Sequence, residues 1–256
     1  MTVREMFELK GRVALITGGS RGLGLQIALG FAEMGAKIAI SARKREELMN
    51  AQQFLSDRGV DAFTVVNDLS QPEQAQPLAE AVIARFGTID ILVNNAGTSW
   101  GAPAEQHPLS AWNKVMTLNA TSVFTLCQTV ANLCFIPRRA GNIIVVASTA
   151  GLRVGGGLCA AAYSASKAAA LHLTRALAHE WGPYNIRVNA ICPGFFRSKL
   201  SAGLLDQIEQ EVIAHTPLGR LGTDIDMIGA AVYLASDASR HVTGQHIAID
   251  GGSTAV

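Results

Sequence analysis

Apolar stretches rich in β-branched residues recur along this chain, each separated from the next by a helix-like pattern. This alternation constrains the fold more than any other feature. "RVALIT" (12–17) leads through a glycine turn to a helix ending near Glu33, and "KIAIS" (37–41) precedes the charged helix "KREELMNAQQFLSDRG". "AFTVVND" (62–68) precedes "QPEQAQPLAEAVIARFG", and "DILVNN" (90–95) leads to a helical stretch over roughly 109–135. "NIIVVAS" (142–148) is followed by a glycine-rich loop and a helix. "IRVNAIC" (186–192) leads to a long irregular stretch and a helix near 224–236, and "HIAID" (246–250) closes the series. Strands that are apolar throughout are buried on both faces, as in a parallel sheet covered by helices on each side. The prediction is an α/β fold: one doubly wound Rossmann domain spanning 1–256, with about seven parallel strands and right-handed crossovers. Ligands bind such sheets beyond the carboxyl ends of the strands, where most of the candidate residues below fall.

Composition narrows the partners. A chain of 256 residues with 16% charged and 49% hydrophobic residues buries a large core and is not disordered. Its net charge of +1, from 21 basic and 20 acidic residues, gives no reason to expect nucleic acid or an anionic membrane as partner. "MTVREMFELKGR" lacks an apolar signal-peptide core, and "TSVFTLCQTVANLCFI" (121–136), interrupted by Gln128 and Asn132, is too short to span a bilayer. Cys127, Cys134, Cys159 and Cys192 have no C-x-x-C spacing, so no metal site is expected, and the default is buried free thiols in a reducing cytoplasm.

Between the first strand and helix, "TGGSRGLG" places Gly18, Gly22 and Gly24 where positive φ, close approach of a pyrophosphate and tight helix packing are needed. A helix N-terminus there offers free N–H groups and a positive dipole end. The alternative is a tight connection only. The second strand ends in Ser41, Ala42, Arg43 and Lys44, with no carboxylate until Glu46, and Arg21 lies within the glycine turn. Arginine grips a 2′-phosphate through its fork, so the cofactor inferred is NADP(H) rather than NAD(H). Asp68 is placed to accept from an adenine amino group or to cap the following helix.

"CAAAYSASKAAALHLT" (159–174) carries Tyr163 and Lys167 on one helix face, four residues apart. They are either a surface pair worth a few tenths of a kcal/mol or a phenol tuned by an ammonium for proton transfer. At about 4 Å and an effective dielectric near 20, the attraction is roughly 4 kcal/mol before screening. That brings a phenol of pKa about 10 toward 7.

The glycine turn, "NNAG" (94–97), Ser148 and "YSASK" (163–167) together resemble the short-chain dehydrogenase/reductase family, from the first strand to "IDGG" (249–252). The resemblance implies that Tyr163 exchanges the proton with a carbonyl or alcohol and that Ser148 hydrogen-bonds the substrate oxygen. It implies that Lys167 holds the nicotinamide ribose and lowers the tyrosine pKa, and that Asn119 anchors a relay water. It also implies a cofactor shell of Gly18, Ser20, Arg21, Gly22, Leu23, Gly24, Ser41, Arg43, Asp68, Leu69, Asn95, Ala96 and Gly97, with Tyr163 and Lys167. "CPGFFRS" (192–198) matches the family's P-G-x-x-x-T segment, adding Pro193, Gly194 and Ser198, with serine in the threonine's place. The stretch from Ser148 to Tyr163 is somewhat longer than in many members, the excess falling at "RVGGG" (153–157). A homotetramer or homodimer is expected from the family, assembled partly through the long helices after strands four and five.

Residues 194–222 read as a lid with hinges at Gly194 and Gly222. Phe195, Leu200, Leu204 and Leu205 either face an apolar substrate or pack as core, Trp100 is expected near the pocket, and Arg153 is a candidate for an anionic or hydroxylated substrate. His215 is expected on the lid surface. The activity expected is NADPH-dependent reduction of a carbonyl, foremost a 3-oxoacyl thioester. A sugar-acid or polyol dehydrogenase of the gluconate 5-dehydrogenase kind is the enzymatic alternative, and a non-catalytic NADP-binding regulator the third.

Overall fold

The computed structural model describes residues 1–154, 159–199 and 201–255. Seven strands form one parallel sheet in the order β3-β2-β1-β4-β5-β6-β7. They are β1 (Val13–Thr17), β2 (Lys37–Ala42), β3 (Ala62–Val66), β4 (Ile91–Asn94), β5 (Gly141–Val146), β6 (Ile186–Pro193) and β7 (His246–Ile249). The helices are α1 (Val3–Phe7), α2 (Gly22–Glu33), α3 (Arg45–Ser56), α4 (Ala75–Phe86) and a continuous run Leu109–Arg138. That run contains α5 (Leu109–Met116), α6 (Ser122–Val130) and the final turn α7 (Ile136–Arg138), joined by π turns at Thr117–Thr121 and Ala131–Phe135. Then come α8 (Ala161–Trp181), α9 (Ala202–Ala214) and α10 (Ile228–Ala235).

Every residue of β1 is buried because successive side chains enter two different cores. Val13 and Leu15 pack with residues of α4, the 109–138 run and α8. Ala14 and Ile16 pack with α2, α3 and α10. This two-sided burial is the physical reason the strands read as unbroken apolar runs.

Two helices escape the sequence reading. At the N-terminus, Thr2 and Glu5 form a reciprocal capping box that closes α1. Residues 202–214, expected to be irregular, are helical, with Leu205 fully buried beneath α9. The segment 121–136 lies within the longer run Leu109–Arg138, which is, by length and composition, long and apolar enough to cross a membrane. Buried positions account for 44% of its most apolar window, through side chains such as Val115, Leu126 and Phe135. Cys127, Cys134 and Cys192 are buried as expected, whereas Cys159 is exposed.

Candidate active site

Strand order reverses between β1 and β4, and their carboxyl ends part to open a cleft of about 1030 Å³. At its floor the β1–α2 turn requires glycine. Gly18 and Gly22 have φ of +63° and +53°, and space above Gly22 is open. Gly24 does not line the cleft. A Cβ there would stand 2.4 Å from Asn95 Nδ2 and 2.6 Å from the Gly18 carbonyl, so its role is close packing of helix on loop. The Asn95 amide secures the turn by donating to the carbonyls of Thr17 (2.9 Å) and Gly18 (3.1 Å). Arg21 at the start of α2 makes no side-chain cap, so the N–H groups of the first turn remain for an anion. Positive-φ glycines, open space and an uncapped helix end fit a dinucleotide's pyrophosphate.

Ser20, Leu23, Ser41, Arg43, Leu69, Ala96, Gly97, Pro193, Gly194 and Ser198 all line the cleft. Asp68 lines it too, and its Oδ1 accepts from Ser70 N–H at 3.0 Å, so it also holds its own turn. Arg21, expected to face a phosphate, donates to Glu47 Oε1 at 2.8 Å.

At the other end, Ser148, Tyr163 and Lys167 share one wall. Ser148 is buried, hydrogen-bonds the Tyr163 phenol and accepts from Ala150 N–H at 3.1 Å. Lys167 is buried; its Nζ donates to the Val146 carbonyl at 2.8 Å and lies 5.7 Å from the centre of the Tyr163 ring. The electrostatics differ from the sequence-based expectation. Burial pushes the Tyr163 phenol above its ordinary value of 10, offset in part by the Ser148 hydrogen bond. Burial also lowers Lys167 to about 8. Desolvation is the largest influence on both groups, and the ammonium is held toward the β5 backbone.

Asn119 sits in the Thr117–Thr121 π turn, whose extra residue directs it away from the regular helix face. It is buried and does not line the cleft. Its Oδ1 accepts from Thr98 N–H (2.9 Å), and its Nδ2 donates to the Thr98 carbonyl (2.8 Å) and Ser166 Oγ (3.0 Å). With these contacts the side chain positions the loop after β4 and the Tyr163 helix.

Residues 194–222 pack over the opening. Gly194 and Gly222 are tight packing points: added Cβ atoms would stand 2.8 Å from Asp250 and 2.4 Å from the Phe196 ring. Phe195 and Leu204 face the cleft, Leu205 is core, and Leu200 lies outside the described residues, as do 155–157 of the proposed loop excess. Ile208 and Val212, passed over in the sequence, continue the Leu204 stripe at four-residue intervals along α9. His215 is exposed, as expected, yet borders the cleft. Trp100 corrects another expectation: it is exposed and does not line the cleft, the chain there being held outward by the Ala102 N–H bond to the Cys159 carbonyl. Arg153 lines the cleft and donates to the Ser253 carbonyl at 2.7 Å, bringing Ser253 and Thr254 of the C-terminal turn into the wall.

A family model described as enoyl-(acyl carrier protein) reductase matches residues 18–254. The chain is 43% identical over 251 residues to the rhamnolipids biosynthesis 3-oxoacyl-(acyl-carrier-protein) reductase of Pseudomonas aeruginosa, covering 96% of this chain and 97% of that protein. It is 36% identical over 256 residues to gluconate 5-dehydrogenase of Gluconobacter oxydans, covering 99% of each. The crystal structure of a gluconate 5-dehydrogenase from Burkholderia cenocepacia, in complex with NADP and tartrate, superimposes with a TM-score of 0.94 at 36% identity, covering 100% of both chains. Likeness of this extent, carried by sequence and backbone together, shows that the chain belongs to the short-chain dehydrogenase/reductase family of oxidoreductases.

Proposed function

We propose that the protein is an NADPH-dependent reductase of 3-oxoacyl thioesters or related ketones with an apolar tail. The observation that carries this reading is the stripe of Leu204, Ile208 and Val212, with Phe195, which lines the same cleft as Ser148 and Tyr163. A methylene buried there is worth about 0.8 kcal/mol, or roughly fourfold in kcat/KM. NADP(H) is supported by Arg21, Arg43 and Lys44 at the adenosine end and by its presence in the Burkholderia cenocepacia structure.

A bound NADPH would supply the hydride to the substrate's carbonyl carbon. The protein's residues do the rest. Tyr163 and Ser148 donate hydrogen bonds to the carbonyl oxygen, and the Tyr163 proton passes to it as negative charge develops. Burial raises the Tyr163 pKa, so the phenol holds that proton at neutral pH. Lys167, whose Nζ lies 5.7 Å from the centre of the Tyr163 ring, stabilises the negative charge that develops on the Tyr163 oxygen and presents its ammonium to the nicotinamide ribose.

Arg153, with Glu211 and His215 at the same opening, favours a second reading in which the substrate is a sugar acid. Rates with 3-oxoacyl thioesters of increasing length, keto-sugar acids and simple ketones, each with NADPH and NADH, decide between them. The first reading expects kcat/KM to climb about fourfold per methylene until the stripe is covered. A preference for keto-sugar acids would overturn it.

The protein is further proposed to act in the cytoplasm as a homotetramer. Trp112, Phe124 and Leu133, exposed on the 109–138 run, supply apolar surface for self-association. Sedimentation velocity reads this directly, and a monomer at micromolar concentration would refute it.

A further inference from the structure

Three cationic nitrogens converge on a single carboxylate oxygen at the adenosine end of the cleft. Arg21 Nη1 lies 2.8 Å from Glu47 Oε1, Lys199 Nζ 3.5 Å and Lys44 Nζ 3.6 Å. The three come from separate parts of the fold: the glycine turn, the approach to α3, and the segment that covers the cleft. Glu47 stands in the first turn of α3, and all four residues line the cleft together with Arg43. Burial raises the Glu47 pKa, but Arg21, Lys199 and Lys44 outweigh it and hold the carboxyl below its usual range, so it is charged at neutral pH. With Arg43 the local balance is four cations against one carboxylate. Three donors spaced around one oxygen anion are also arranged to receive a phosphate oxygen.

We propose that Glu47 and a cofactor 2′-phosphate compete for the same three nitrogens, and that Lys199 ties the covering segment to that phosphate. The inference rests on the NADP(H) reading above and extends it to two residues. Glu47 then acts as a built-in counter-anion that moderates affinity for the phosphorylated dinucleotide. Lys199 makes the position of α9 depend on the same phosphate, since it lies three residues before that helix. A dinucleotide without the phosphate leaves the Glu47 cluster intact.

The test measures dissociation constants of NADPH, NADH, 2′,5′-ADP and 5′-ADP for the wild-type protein, Glu47→Gln and Lys199→Gln, at low and moderate salt. Glu47→Gln is expected to tighten NADPH and 2′,5′-ADP about three- to tenfold, and Lys199→Gln to weaken both by a similar factor. Both variants are expected to leave NADH and 5′-ADP within about twofold, and the differences to shrink with salt. Glu47→Asp, which keeps the charge, should stay near wild type. If Glu47→Gln weakens NADPH, or Lys199→Gln shifts phosphorylated and unphosphorylated ligands alike, the proposal is wrong while the NADP(H) reading stands. If the wild-type protein itself binds NADH more tightly than NADPH, both fall.

Discussion

Replacing Thr17 with valine tests how the two halves of the sheet are held at the cleft. Thr17 is the last residue of β1 and is almost fully buried. Its Oγ1 accepts from the N–H groups of Asn95 and Ala96, each at 3.0 Å, and donates to the Val93 carbonyl at 3.3 Å. One hydroxyl therefore joins the end of β1 to the loop after β4, across the strand reversal. Valine has nearly the same shape, so no cavity opens, but two backbone donors lose their acceptor. At about 1–2 kcal/mol for each donor left without one, the loss is about 2–4 kcal/mol. For a domain of this size that lowers the midpoint of thermal unfolding by roughly 4–16 °C. Thr17→Ser is the control, because it keeps the oxygen and removes a methyl worth about 1 kcal/mol. Unfolding followed by circular dichroism, with NADPH titrations on the same samples, reads both consequences. Thr17→Val should be the less stable of the two and should bind NADPH more weakly, since Asn95 and Ala96 line the cleft. A valine variant as stable as the serine variant would refute the assignment of the hydroxyl as the cross-link.

Tyr163→Phe should lose about 10²- to 10⁴-fold in kcat while its NADPH dissociation constant stays within about threefold. Unchanged turnover would exclude Tyr163 as the proton donor, and a regulator's function would be indifferent to the change. Reduction should slow as pH rises past about 8, where Lys167 loses its proton and with it the charge that stabilises the developing phenolate. A pH–rate profile flat through pH 9.5 would remove Lys167 from that role. Stability should respond with the opposite sign. The Lys167 pKa is lowered in the fold, so between about 8 and its unfolded value of 10.5 the unfolded chain holds more protons and stability rises with pH. Tyr163, whose pKa is raised, contributes stability present below 10 that is lost as pH climbs through its folded value.

Much of this protein was legible in one dimension because the relevant physics is local or repetitive. A strand buried on two faces must be apolar at successive positions, so β1, β2, β4 and β5 announced themselves in "RVALIT", "KIAIS", "DILVNN" and "NIIVVAS". Gly18 and Gly22 were readable because positive φ selects glycine, and Tyr163 with Lys167 because four residues is one turn of a helix. The signals for α1 and α9 were present too, in the Thr2–Glu5 capping box and the spacing of Leu204, Ile208 and Val212, although the sequence reading passed over them.

What the chain alone withheld depends on distance and on solvent. Thr17 meets Asn95 across 78 residues, and Lys199 meets Glu47 across 152, so no spacing rule reaches either contact. The direction of the Tyr163 shift is set by desolvation within the folded cleft, and a pair calculation at fixed dielectric omits that cost. Trp100 faces outward and Asn119 turns to Thr98 because of backbone contacts that exist only after the sheet has assembled. Sequence by itself thus determined the layered parallel sheet and the chemical groups along its carboxyl edge, since periodicity and residue type carry both. Tertiary structure decided which of those groups face the cleft, which partners they hold and how readily they take charge, because burial and long-range contact are properties of the assembled chain.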